Sequence, residues 1–152
     1  MPFRLIIFLI KKFVYLQRTK IIYDKTKPLE SSIVTEIEKK GFYVIEKFFT
    51  EEQCNTMLNA AEQCRQNKGP THDYPEYGVQ RCLHADNIDE LKVFFNNKFI
   101  ENVAQLYIGR KAKKFQCMYE IKGRRNKESV ADTPHFDDWK KRFKAFIYLN
   151  DI

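Results

Sequence analysis

A chain of 152 residues, 43% of them hydrophobic, can build one globular domain with a real core and is too short for two full ones. Five glycines cannot supply a phosphate-cradling loop of the P-loop or dinucleotide type, which argues against nucleotide chemistry of those kinds. The net charge of +7 is uneven: residues 1–27 carry seven basic and one acidic side chain, 28–109 eight and thirteen, 110–128 eight and two, and 129–152 four of each.

Basic clusters of this kind serve as solvated faces or as contacts for anionic lipid or nucleic acid. No helix-turn-helix, zinc-finger or aromatic RNA-binding signature accompanies them, so no specific nucleic acid is expected as a partner. Cys54, Cys64, Cys82 and Cys117 form no CxxC pair and have no His at zinc-finger spacing. With no signal peptide in front of them, they read as reduced, mostly buried thiols of a cytoplasmic protein.

Residues 1–27 form a basic, apolar N-terminal extension. The apolar stretch from Leu5 to Ile10 is six residues long before Lys11 and Lys12 interrupt it, against the roughly 20 that a membrane-spanning helix needs. Phe3, Ile6, Ile7, Ile10 and Val14 can share one helical face. That face suits either an extension packed on the domain or a weak membrane-surface contact.

From residue 28 to 152 the chain reads as one domain. Ser31 or Ser32 is placed to cap a short helix carrying Ile33 and Ile37, which Lys39-Lys40-Gly41 then stops. FYVIEKFF, residues 42–49, reads as a strand. Thr50-Glu51-Glu52-Gln53 is a capping box, and the helix it opens puts Cys54, Met57, Leu58, Ala61 and Cys64 on one stripe. That helix ends near Lys68-Gly69-Pro70.

Residues 70–87 are rich in turn formers and read as a long loop, with His72 and His84 either solvated or available as ligands. Helical material runs from Asn87 to about Tyr107, with a break at Asn96-Asn97 and a stop at Gly109. AKKFQCMYEIKG follows as a strand, with Phe115, Cys117, Tyr119 and Ile121 on one side and Gln116, Met118 and Glu120 on the other. After a charged connection, RFKAFIYLND reads as a second alternating strand, with Phe143, Ala145, Ile147 and Leu149 facing one way and Lys144, Phe146, Tyr148 and Asn150 the other. Helices first and strands later give an α+β class with an antiparallel sheet.

One triplet carries chemistry. In extended backbone, residues i and i+2 project to the same face, so His135 and Asp137 can offer an imidazole nitrogen and a carboxylate oxygen to one ion while Phe136 turns away. Such a pair supplies two ligands of a facial site of two His and one carboxylate. A His and two acids, Asp137 and Asp138, in a polar turn is the alternative reading of the same residues.

The order of these features resembles the N-terminal half of the phytanoyl-CoA dioxygenase family of Fe(II)/2-oxoglutarate-dependent oxygenases. GFYVIEKFFTEEQCNTMLNAAEQC is similar to that family's opening strand and capped helix, IENVAQLYIGR to the helix before its first barrel strand, and HFDDWKKRFKAFIYLNDI to its iron-binding HxD and following strand. The resemblance covers about residues 40–152. It implies N-terminal helices packed on a partial double-stranded β-helix, a jelly-roll or cupin-like core. It further implies Fe(II) held by His135 and Asp137, with 2-oxoglutarate as co-substrate beside Phe146 and Tyr148, and Met118 and Tyr119 as further candidates to line its pocket. Hydroxylation with O2 of a small-molecule or lipid or acyl-type substrate would follow.

The family's third ligand is a His downstream of the HxD, followed by an Arg that anchors 2-oxoglutarate. Neither follows His135 at family spacing here, so Ile152 is expected to be a truncation point and the polypeptide to be inactive alone. The competing expectation is a non-catalytic basic module that contacts anionic lipid or nucleic acid.

Overall fold

The computed structural model describes residues 26–109, 111, 113–114, 116–123, 127 and 142–150. They belong to two compact units. One takes the described residues within 1–44, 98–113 and 140–145, the other those within 45–97, 114–139 and 146–152.

The first unit pairs two helices, α1 (Pro28–Lys40) and α4 (Lys98–Ile108). Helix α1 begins differently from the expectation, because Lys27 occupies the cap position without a side-chain cap and neither Ser31 nor Ser32 serves as one. Pro28 decides this: its fixed φ suits the first turn, and its missing N–H would be unpaired there anyway. Ser31 is thereby carried into the helix and buried. The far end is as expected, with Gly41 at φ 84° donating its N–H to the carbonyl of Ile37. Ile33 and Val34 of α1 are buried with Val103 of α4, and Ile37, Phe99, Leu106, Tyr107 and Phe143 pack around them. Each such side chain taken out of water contributes about 1.5–3 kcal/mol before entropy is charged against it. At one end of the pair, Lys27 Nζ donates to Asn102 Oδ1 (2.9 Å) and Asn102 Nδ2 donates to Glu30 Oε1 (3.2 Å).

The second unit is built on α2 (Glu51–Lys68) and a three-stranded antiparallel sheet. Thr50 caps α2 as expected: its hydroxyl accepts from the Gln53 N–H, and the Gln53 side chain accepts from the Thr50 N–H. The stripe is realised too, with Met57 and Ala61 fully buried and Cys54, Leu58 and Cys64 half-buried. The long loop expected over 70–87 is instead a hairpin. Strand β1 (His72–Tyr74), a single 3₁₀ turn at Pro75–Tyr77, and β2 (Val79–Leu83) fill most of it. Gly78 closes the turn at φ 62°, a left-handed conformation that a side chain disfavours. Strand β3 (Met118–Lys122) pairs with the other edge of β2.

Between the sheet strands, 3₁₀ turns at Ala85–Asn87 and Asp89–Leu91 lead into α3 (Lys92–Phe95), and the expected break follows at Asn96-Asn97. Met57, Ala61, Ala85, Leu91 and Cys117 form this unit's core, with Phe49, Phe94, Tyr119, Ile147 and Leu149 among its flanks. The mixture of helices with a small antiparallel sheet is α+β, as read from the sequence.

Two expected strands are absent from that sheet. Residues 42–49 join no ladder, and Lys47 at φ 53° interrupts the extended run. Residues 142–150 also lie outside every ladder among the described residues, although their alternation is real: Ile147 and Leu149 pack on the core while Phe146 and Tyr148 are exposed. A side-chain period sets which residues turn inward, but a strand exists only where a second one pairs with it. Among the described residues no helix is long and apolar enough to cross a membrane.

Candidate functional site

The sheet of the second unit has two faces, and the register assigns every residue to one of them. Arg81 lies opposite His72 on one side and Glu120 on the other, Val79 opposite Tyr74 and Lys122, and Leu83 opposite Met118. Alternation puts Gln80, Cys82, Tyr119 and Ile121 on the other face.

The inner face meets α2 through a polar network. Arg65 donates to the carboxylate of Glu62 through Nε (2.9 Å to Oε2) and Nη2, while its Nη1 donates to Gln80 Oε1 (3.2 Å). The Tyr119 hydroxyl reaches Glu62 Oε2 at 3.5 Å. The Arg65 guanidinium holds the Glu62 carboxyl below its ordinary range. Burial, with the neighbouring Glu62 charge, pushes the Tyr119 phenol up. Both thiols of the interior, Cys82 and Cys117, are likewise raised chiefly by burial, so neither is an activated nucleophile. Near Cys117, the Oδ1 of Asp86 is buried and has no hydrogen-bond partner among the described residues.

The outer face is open and carries a stack. The His72 ring lies over the Tyr74 ring at 6.1 Å between centroids and 24° between planes. The Arg81 guanidinium carbon sits 5.8 Å from the same ring's centroid. Arg81 Nε also donates to Glu120 Oε2 at 2.5 Å, and Lys122 Nζ lies 3.5 Å from Glu120 Oε1. One carboxylate is therefore set between two cations.

The residues singled out from the sequence fall in several places. His135, Asp137 and Asp138 lie outside the described residues. Met118 and Tyr119 are adjacent on β3 and so face opposite sides: Met118 is exposed on the outer face, Tyr119 is half-buried against the core. This is the opposition that the alternation predicts. Phe146 and Tyr148 are 74% and 67% exposed and share one side of their segment. His72 is part of the outer-face stack, and His84 is exposed in a left-handed conformation, φ 59°. Among the described residues no group of three or more His, Cys, Asp or Glu side chains is placed to hold a metal ion.

Sequence reading missed the stack because it took 70–87 as a loop. The signal was present: His-Asp-Tyr and Val-Gln-Arg-Cys-Leu flank the turn formers Pro75 and Gly78. Comparison with known proteins finds no matching family model, no matching curated protein and no matching solved structure.

Proposed function

We propose that this chain is part of an Fe(II)/2-oxoglutarate-dependent oxygenase of the phytanoyl-CoA dioxygenase-like type, with a jelly-roll core and a metal held by His135 and Asp137. The observation that carries the reading is the order of landmarks along the chain: a helix stopped by Gly41, a capping box at Thr50, a helix stopped by Gly109, strand β3, the HxD triplet and an alternating apolar segment. Two-sided apolar character at 143–149 supports it further, because Phe146 and Tyr148 are the side chains of a segment destined for cover on both faces.

The donor set fits the group. In extended backbone a His and an Asp two residues apart would offer an imidazole nitrogen and a carboxylate oxygen to one ion, a donor pair that suits Fe(II) and leaves positions open for co-substrate and oxygen. When bound, iron with 2-oxoglutarate and O2 supplies an oxidant able to hydroxylate an unactivated C–H bond, with succinate and carbon dioxide as co-products. In this reading His135 and Asp137 fix the metal's position, while Phe146 and Tyr148 exclude water beside the co-substrate. The substrate is a small molecule or a lipid or acyl-type compound. The third ligand of such a site, a later His, does not occur among residues 136–152.

The test is Mn(II) binding, read as loss of the free-ion paramagnetic resonance signal, in the native chain, His135→Ala and Asp137→Ala. With two of the three ligands present the reading requires weak binding that either substitution abolishes. Equal binding in all three proteins would refute it.

A further inference from the structure

The outer sheet face holds an arginine whose charge is only partly used. From the register and the contacts we infer that Arg81, steadied by Tyr74 and Glu120, is a binding site for an oxyanion, the carboxylate or phosphate of a small molecule. The inference is independent of the iron reading and needs only the described sheet.

A guanidinium is a planar fork that binds an oxyanion through two parallel N–H donors. Free in solution, the long side chain must be ordered before that edge is presented, which weakens binding. Arg81 is ordered in advance. Its guanidinium carbon lies over the Tyr74 ring at 5.8 Å and its Nε is held by Glu120 at 2.5 Å. His72 packs on Tyr74 and fixes the ring in turn. Nε being engaged, Nη1 and Nη2 carry the remaining donors, and neither makes a hydrogen bond to any described residue.

The charge on this face favours an anion. Glu120 is the single acid among its described residues and already faces both Arg81 and Lys122, so these three side chains together leave the face one net positive charge. The same stretch of chain continues Lys122-Gly123-Arg124-Arg125-Asn126-Lys127, and Lys127 Nζ lies 5.8 Å from the centroid of the Tyr77 ring beside the hairpin turn. Among the described residues the arginine against the opposite sheet face, Arg65, is already engaged by Glu62 and Gln80.

The experiment follows the Arg81 Nε–H resonance of the 15N-arginine-labelled chain as inorganic phosphate or acetate is added at constant ionic strength, with chloride as the reference salt. A saturable shift with a dissociation constant of roughly millimolar order is expected for at least one oxyanion and none for chloride; the tighter of phosphate and acetate names the source. Binding to the variants is read by calorimetry. Arg81→Lys keeps the charge but loses the fork and should weaken binding about tenfold. Tyr74→Leu, which leaves Arg81 in place but unsteadied, and Lys122→Gln should each weaken it about threefold; Lys68→Gln, outside the sheet, should not. If Arg81→Lys does not fold, Tyr74→Leu and Lys122→Gln decide the matter. A shift that rises linearly and equally with chloride, or affinities unchanged across the sheet variants, overturns the proposal.

Discussion

Replacing Met57 with Ala removes the Sδ and two carbons of a side chain only 1% exposed, from the centre of the cluster with Ala61, Ala85, Leu91 and Cys117. At about 0.8 kcal/mol for each methylene-sized group, the lost transfer energy is about 2.4 kcal/mol. The neighbours cannot close the gap freely. The Ala61 methyl cannot swing in, and Ala85 is tied to the residue just before β3 by its N–H to the Cys117 carbonyl (3.0 Å). An unrelaxed cavity adds to the transfer term, so the expected loss is about 3 kcal/mol. Leu58→Ala, one residue on and half-buried, removes the same number of heavy atoms at a site already partly wet and should cost about 1.5 kcal/mol. Urea unfolding followed by far-UV circular dichroism gives the totals, and amide exchange along α2 localises them. If Met57→Ala costs under about 1 kcal/mol, or no more than Leu58→Ala, the assignment of this core is wrong.

Thr50→Ala deletes the hydroxyl half of the capping box and should cost about 1 kcal/mol, with Thr50→Ser restoring most of it in the same unfolding assay; equal stability of all three would contradict the cap. Gly41→Ala places a side chain at φ 84° and should cost about 1 kcal/mol in thermal unfolding, although the added carbon meets nothing within 4 Å. Arg65 holds the Glu62 carboxyl below its ordinary 4.5, so the folded chain gives up that proton more readily than the unfolded one. The resulting stability is complete above about pH 4.5 and fades as the pH falls through the folded value. Glu62→Gln should therefore flatten the acid limb of the urea midpoint against pH, and an unaltered limb would discount the pair. Cys54 and Cys64 should react with iodoacetamide well before Cys82 and Cys117, which are buried and raised in pKa; uniform rates would contradict the burial assigned to them.

Legibility in the sequence followed the range of the physics involved. The Thr50 box, the Gly41 and Gly109 stops and the stripe through Met57 and Ala61 are local rules, satisfied within a few residues, and all are present in the fold. The strand expected over 42–49 and that over 142–151 carried the right pattern of residues, but pairing is a property of two segments, and one segment cannot display its partner. The hairpin over 72–83 failed differently: turn-forming residues outweighed two short alternations, and the His72, Tyr74 and Arg81 stack was hidden with it. Ser31 was a sound cap by composition, yet Pro28 set the helix start four residues earlier, with Lys27 at the cap position. Phe146 and Tyr148 were grouped on one side of their segment, where both are exposed, and Met118 and Tyr119 on opposite sides of theirs, as β3 turns them.

The HxD dyad is the centre of the functional account, and co-substrate binding tests it most directly. Calorimetric titration of 2-oxoglutarate into the chain at saturating Mn(II) should give only weak heat in the native protein, which holds two of the site's three ligands, and none in His135→Ala or in metal-free buffer with chelator. Metal-dependent 2-oxoglutarate binding that needs His135 is the predicted result. Binding that persists unchanged in His135→Ala, or that ignores the metal, would contradict the assignment of this chain to the 2-oxoglutarate oxygenases.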